Sequence, residues 1–177
     1  MQEYTLTVFC ENKTGLMARI VNIITRRHYN IESFSASQSS IEGIYRFTIM
    51  VLVEEEQVRK LVSQIEKQVD VLKAFYYKNS EIIYQEIALY KVPSEVFFGS
   101  DKVERIVRKH NARILNIEPE FIVIEKTGHQ SETELLLDEL REIGIYEFVR
   151  SGRVAITKPM ENLNKYLKSV GKYKAHL

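Results

Sequence analysis

The chain has 177 residues, 45% of them hydrophobic and 28% charged, and a formal net charge of +1. This composition is typical of a globular protein of one domain or two small ones, and it argues against a nucleic-acid-binding protein, which would have a strongly basic face. The single cysteine, Cys10, excludes a disulfide within the chain and favours a reducing compartment. No segment has the pattern of a signal peptide or the ~20 apolar residues of a membrane span, so we expect a cytoplasmic protein.

The first 79 residues predict two helices and four strands. Apolar and polar residues alternate over 4–10, which predicts a half-buried strand with Cys10 on its inward face. The turn "ENKTG" separates this strand from a helix that begins at Leu16 and ends near His28, where Asn30 is suited to a left-handed helix end. The remaining elements are predicted as strands over 31–39 and 44–53, a helix over 54–68 and a strand over 69–78.

The same order of elements recurs after a junction at 79–81. The pattern predicts a strand over 82–92, a helix over 100–111, strands over 112–119 and 120–128, a helix over 131–144 and a strand over 145–158 with a glycine bend. Ser100 is a candidate helix cap, and Ser131 with Glu134 has the spacing of a capping box.

A β-α-β-β-α-β order is that of the ferredoxin-like arrangement, an antiparallel sheet with helices on one face. We therefore predict an α+β protein with two such domains, at 1–79 and 80–158, and a helical or frayed tail at 159–177.

Motifs of catalysis and metal binding are missing from the sequence. The four histidines, His28, His110, His129 and His176, have no metal-ligand spacing. Cys10 has no histidine near it in the sequence and is typical of a small buried hydrophobic residue. The chain also lacks phosphate-binding, zinc-protease and serine-hydrolase motifs. We therefore expect no catalytic residues, no bound metal and a binding or regulatory role.

The segment "ENKTGLMARI" is the strongest candidate for a ligand site. The first turn of a helix has N–H groups without partners in the helix, and these favour a carboxylate. Gly15 would allow close approach, Asn12 offers an amide, and Leu16 and Met17 could form an apolar wall. Asn30, contributed by a second protomer, would add another amide. These groups suit a free aliphatic amino acid, although from the residues alone a simple strand-to-helix turn explains "NKTG" better.

The segment "VFCENKTGLMARIVNIITRRHYNIES", with "RFTIMV" after the hairpin, resembles the ACT domain of the small, regulatory subunit of acetolactate (acetohydroxyacid) synthase. The segments "QIEKQVDVLKAF", "YQEIALYKV" and "FVRSGRVAITK" extend the resemblance over residues 2–158. It implies that two ACT domains pair into a homodimer with an eight-stranded sheet and bind a branched-chain amino acid, typically valine, at their interface. The effector positions that it implies are Asn12, Gly15, Leu16 and Met17 of one protomer, with Asn30 and Ile31 of the other.

The resemblance also implies a function, with no role for nucleic acid or membrane. The chain would activate the catalytic (large) subunit and confer feedback inhibition in valine, isoleucine and leucine biosynthesis. Thiamine diphosphate, Mg and FAD would be bound by that partner and none of them by this chain. Two alternatives are a free-standing ACT-domain amino-acid sensor that regulates a different enzyme, and an acylphosphatase-like enzyme. The second needs an arginine cradle for phosphate, whereas "ENKTG" contains only Lys13.

Overall fold

The computed structural model describes residues 1–99 and 101–158. Contacts between Cα atoms divide them into two compact units. The first comprises Met1–Ile83 together with 153–158, and the second comprises Tyr84–Gly152. The predicted tail at 159–177 and the predicted cap Ser100 lie outside the described residues.

The first unit contains the predicted β-α-β-β-α-β order. Its elements are β1 (Gln2–Glu11), α1 (Leu16–Thr25), β2 (Ile31–Gln38), β3 (Ile44–Val53), α2 (Glu55–Ile65) and β4 (Val71–Lys78). The strands form one sheet in the order β2-β3-β1-β4, and every neighbouring pair is antiparallel. The alternating apolar residues of β1 and the apolar stripes of both helices share one hydrophobic core. The helices therefore cover one face of the sheet, as the sequence predicts.

Strand β1 is buried on both faces, so its prediction as a half-buried strand is wrong. Thr5 and Thr7 point away from the helices, yet they are 0% and 2% exposed. Residues 153–158 belong to this unit, and the Arg153 guanidinium donates from Nη1 to the Thr5 hydroxyl at 2.9 Å. A segment from far along the chain therefore covers the face that alternation alone assigns to solvent.

The end of α1 also differs from the prediction. The helix ends at Thr25, and the residue with left-handed backbone is His28, with φ 59°, rather than Asn30. Asn30 instead directly precedes β2, whose first residue is Ile31.

The second unit repeats the order with one additional helix. Its elements are β5 (Ile82–Pro93, of which the first two residues belong to the first unit), α3 (Ser94–Gly99), α4 (Lys102–Lys109), β6 (Arg113–Ile117), β7 (Phe121–Gly128), α5 (Gln130–Arg141) and β8 (Glu147–Arg150). The sheet order β6-β7-β5-β8 matches that of the first unit. The additional helix, α3, follows β5 directly, and the Ser94 hydroxyl at its start donates to the Pro119 carbonyl oxygen at 2.6 Å.

The capping box predicted at Ser131 and Glu134 is wrong. Helix α5 begins earlier, with His129 as its N-cap, and the Glu132 carboxylate accepts the His129 backbone N–H at 2.7 Å. Glu134 instead accepts hydrogen bonds from Gln130 and Arg150, which hold the pKa of its carboxyl below the usual range.

The single strand predicted over 145–158 is divided into two, β8 and β9 (Val154–Thr157). Ser151 still bonds to β5 through its backbone N–H, which donates to the Ile87 carbonyl oxygen at 2.8 Å. The chain leaves the second unit after Gly152, and β9 lies in the first unit, where the Lys158 backbone N–H donates to the Glu81 carbonyl oxygen. The chain passes from one unit to the other after Gly152, and residues 151–153 form neither a turn nor a bend, so the predicted glycine bend is wrong.

Helix α5 offers a matched test of the second core. Leu135 and Leu136 are adjacent, but the first is 60% exposed and the second is fully buried. We expect Leu136→Ala to lower the free energy of unfolding by about 2–5 kcal/mol, because it leaves a cavity in the core. Leu135→Ala should change it by less than about 0.5 kcal/mol. Urea unfolding followed by circular dichroism measures both, and equal losses would contradict this assignment of the helix face.

Candidate functional site

The turn between β1 and α1 is built around the backbone of Gly15. Gly15 is the N-cap of α1 and has φ 82° and ψ −7°, a left-handed conformation that a residue with a side chain rarely adopts. A Cβ atom built at Gly15 would meet no atom within 4 Å. The glycine is therefore favoured by the backbone angle rather than by packing, and the space in front of it is open.

The start of α1 can accept an anion. The Leu16 backbone N–H already donates to the Lys13 carbonyl oxygen at 3.2 Å. The N–H groups of Met17 and Ala18 are in the first helical turn, where no carbonyl of the helix can accept them. Together with the helix dipole they favour a negatively charged group such as a carboxylate.

The six predicted site residues differ in exposure. Asn12, Gly15 and Asn30 are exposed, Met17 is 46% exposed, and Ile31 is half-buried. The expectation for the Leu16 side chain needs correction, because it is 1% exposed and packs in the core of its own domain. The side chain that can form an accessible apolar wall at this turn is that of Met17.

Within one chain the six residues form two separate groups. Asn12, Gly15, Leu16 and Met17 lie at the start of α1, whereas Asn30 and Ile31 follow its end. A helix of ten residues is about 15 Å long, so a small amino acid cannot touch both groups. Ile31 begins β2, which is an edge strand of the sheet and can pair with a further strand.

An open cavity of about 340 Å³ lies beside the turn. It is lined by Glu11, Asn12 and Lys13 from the turn and by Glu42, Gly43 and Ile44 from the β2–β3 hairpin. The hairpin residues were missed by the sequence reasoning. The signal that could have found them is the strand register, because Glu11 pairs with Ile44 at the end of the β1–β3 ladder.

Cys10 is fully buried, as the sequence predicts, and its burial raises the pKa of the thiol to about 11. The histidines are dispersed: His110 contacts Glu139 at 3.1 Å, His129 caps α5, and His176 lies outside the described residues. Over residues 1–99 and 101–158 no group of three or more His, Cys, Asp or Glu could hold a metal ion. In the same part of the chain, no helix has the length and apolar character needed to cross a membrane.

Comparison with known proteins identifies the family. Residues 6–73 match the family described as the AHAS small subunit-like ACT domain, and residues 85–159 match the family described as the small subunit of acetolactate synthase. The acetolactate synthase small subunit of Bacillus subtilis is 36% identical over 155 residues, which are 87% of this chain and 88% of that protein. The chain belongs to the acetolactate synthase small subunit family.

Further relatives agree with this assignment. The acetolactate synthase small subunit of Mycobacterium bovis is 30% identical over 155 residues, 88% of this chain and 92% of that protein. The crystal structure of the acetolactate synthase small subunit from Thermotoga maritima has a TM-score of 0.81 and 26% identity, covering 89% of this chain and 98% of that one. The predicted family and the α+β fold with an N-terminal ACT domain are therefore confirmed. Membership of a small-subunit family also implies a catalytic-subunit partner.

The state of Cys10 can be tested directly. A buried thiol whose pKa is about 11 is almost fully protonated at pH 8, and thiol reagents attack the thiolate. We expect native protein at pH 8 to react with Ellman's reagent far more slowly than protein in 6 M guanidinium chloride. Release of the coloured thiolate measures both rates, and rapid stoichiometric reaction of the native chain would contradict the burial of Cys10.

Proposed function

We propose that this chain is the regulatory subunit of acetolactate synthase, which activates the catalytic subunit and confers feedback inhibition by a branched-chain amino acid. The observation that carries the proposal is the match to small subunits over both units, together with an ACT turn whose open side faces no packed neighbour. Thiamine diphosphate, Mg and FAD would be bound by the catalytic partner.

The effector site forms between two protomers. In the proposed homodimer, β2 strands of two ACT domains pair edge to edge into an eight-stranded sheet. The open edge of β2 supports this pairing. Asn30 and Ile31, at the start of β2, would then lie near the partner's α1 turn and complete a site that one chain leaves divided.

Each part of a branched-chain amino acid has a matching group. The ligand carboxylate would accept hydrogen bonds from the free backbone N–H groups at the start of α1. The side-chain amide oxygens of Asn12 and Asn30 would accept hydrogen bonds from the ammonium group. The exposed Met17 and half-buried Ile31 side chains would contact the aliphatic group. Residues 16–18 are Leu-Met-Ala, where the family often has Ala-Leu-Ser, and of these Met17 contributes an accessible side chain that can select the effector.

Inhibition requires that the effector bind one arrangement of the dimer more tightly than another, because a ligand with equal affinity for both does not change their relative populations. A coupling free energy of about 1–3 kcal/mol is typical of such regulation. Since the site is shared by two chains, the effector can act on the arrangement of the protomers without contacting the catalytic subunit.

Reconstitution tests the function. Acetolactate formation is measured with the catalytic subunit alone, with this chain added, and with each of valine, leucine and isoleucine. We expect the chain to raise the rate and at least one of the three amino acids to lower it again. An amino-acid sensor for a different enzyme would leave the rate unchanged, and that result would overturn the proposal.

The location of the effector can be tested at Gly15 with a charged variant and its neutral counterpart. Asp and Asn both tolerate the left-handed backbone and have nearly the same shape. Gly15→Asp places a second carboxylate beside that of the ligand, and two such charges ~4 Å apart near a protein surface repel by about 4 kcal/mol. We expect calorimetry to show valine binding at least about tenfold weaker in Gly15→Asp than in Gly15→Asn. Equal dissociation constants would show that the ligand carboxylate binds elsewhere.

A further inference from the structure

Arg153 is the largest side chain that is fully buried in the described structure, with 1% of its surface exposed. Arginine is almost never buried to this degree unless it is paired. It begins the segment 153–158, called here the strap, which lies in the first unit. Buried and exposed residues alternate along the strap, with Arg153 and Ala155 buried and Val154 and Ile156 exposed.

The guanidinium group joins β1 of the ACT sheet to the residue that follows β4. Its Nη1 donates to the Thr5 hydroxyl and to the Asn79 side-chain oxygen, each at 2.9 Å. Its Nη2 lies 3.4 Å from a Glu3 carboxylate oxygen, which also accepts from the Asn79 amide at 2.7 Å. Because the Asn79 amide bonds both Arg153 and Glu3, the contacts close into a ring that fixes the start of the strap.

The backbone of the strap contacts strands β2 and β3 on the same face of the sheet. The Arg153 N–H donates to the Ser33 hydroxyl oxygen at 3.3 Å, and the Ser35 hydroxyl donates to the Arg153 carbonyl oxygen at 3.0 Å. The Arg46 guanidinium on β3 donates to the Ala155 carbonyl oxygen. The strap therefore crosses the helix-free face and bonds to strands β1, β2 and β3 and to the residue that follows β4.

The two serines connect the strap to the proposed effector site. Ser33 and Ser35 are on β2, whose first residue is Ile31. The β2–β3 register shifts between Ile31 and Ser33, so the ladder is irregular at this point. An edge strand has one neighbouring strand, and the shift leaves Glu32 without a partner in the ladder at this point. The hydrogen bond from Arg153 to Ser33 comes directly after this irregularity and provides a second constraint.

We propose that Arg153 is a positioning residue for amino-acid binding, which acts through β2 without touching the effector. Held by Glu3, Thr5 and Asn79, it fixes the strap so that Ser33 and Ser35 hold the start of β2 in the position that presents Ile31 to the ligand. This inference rests on the proposed function, because it concerns regulation of the same site.

A pair of serine variants on one strand tests the connection. Ser35→Ala removes the hydroxyl that bonds the strap, whereas Ser37→Ala removes a hydroxyl on the same strand and face that is exposed to solvent. We expect calorimetry on the full-length chain to give a dissociation constant for valine at least about fivefold higher in Ser35→Ala, the lower limit of typical allosteric coupling. Ser37→Ala should remain within about twofold of the unsubstituted protein.

Arg153 itself is tested with Arg153→Met and Arg153→Lys. Methionine preserves length without charge. Lysine preserves the charge but cannot reproduce the fork in which Nη1 bonds Thr5 and Asn79 while Nη2 faces Glu3. We expect the weakest valine binding in Arg153→Met and partial recovery in Arg153→Lys. Amide hydrogen exchange on the same samples should accelerate over 31–38 and stay unchanged over 55–65, a pattern that general destabilisation would not give.

The outcomes separate the two proposals. If the unsubstituted chain binds valine and Ser35→Ala and Arg153→Met bind it equally well, the inference is overturned while the proposed function stands. If the unsubstituted chain binds none of valine, leucine and isoleucine, the proposed feedback function fails and the inference fails with it. Should Arg153→Met not fold, the comparison of Ser35→Ala with Ser37→Ala decides the question.

Discussion

The antiparallel ladder between β1 and β3 is the interaction on which the first unit depends. It runs without interruption from the pair Gln2–Val53 to the pair Glu11–Ile44. Because β1 also pairs with β4, it is one of the two interior strands of the sheet, and its inward residues contribute to the core beneath both helices. The ladder ends at Glu11, and the chain turns from there into α1. The ladder therefore determines the position of Gly15, the N-cap of that helix. The opposite face of the same strand receives Arg153.

Two arginines in the segment "RSGR" have parallel roles in the two units. Arg150 lies 3.5 Å from the buried Glu86 and 3.2 Å from Glu134, both in the second unit. Arg153 makes its contacts with Glu3, Thr5 and Asn79 in the first unit. Two residues, Ser151 and Gly152, separate them. The segment thus fixes a charged group within each unit at the point where the chain leaves one for the other.

The sequence predicts the elements well where periodicity determines them, and the strands of both sheets and the helix stripes follow this pattern. It fails where a distant segment changes the environment. Thr5 and Thr7 have the pattern of exposed residues but are buried, and for Thr5 the return of the chain at Arg153 supplies a contact that alternation cannot predict. Local competition explains the error at α5, since Ser131 and His129 both offer a plausible start and the bond from His129 N–H to Glu132 decides between them. For the candidate site, the turn could be predicted from the sequence. The burial of the Leu16 side chain was not predicted, because it depends on which face of α1 points into the core.

The discontinuous first unit has a consequence for synthesis of the protein. Asn79 and Arg153 are in direct contact but are 74 residues apart in the chain. At about 5–20 residues per second, a ribosome needs about 4–15 s to add that length. The ACT sheet can therefore pair its four strands during translation while its helix-free face, including Thr5 and Thr7, is still uncovered. The contacts of Arg153 with Thr5 and Asn79 can form only after the whole second unit has been synthesised.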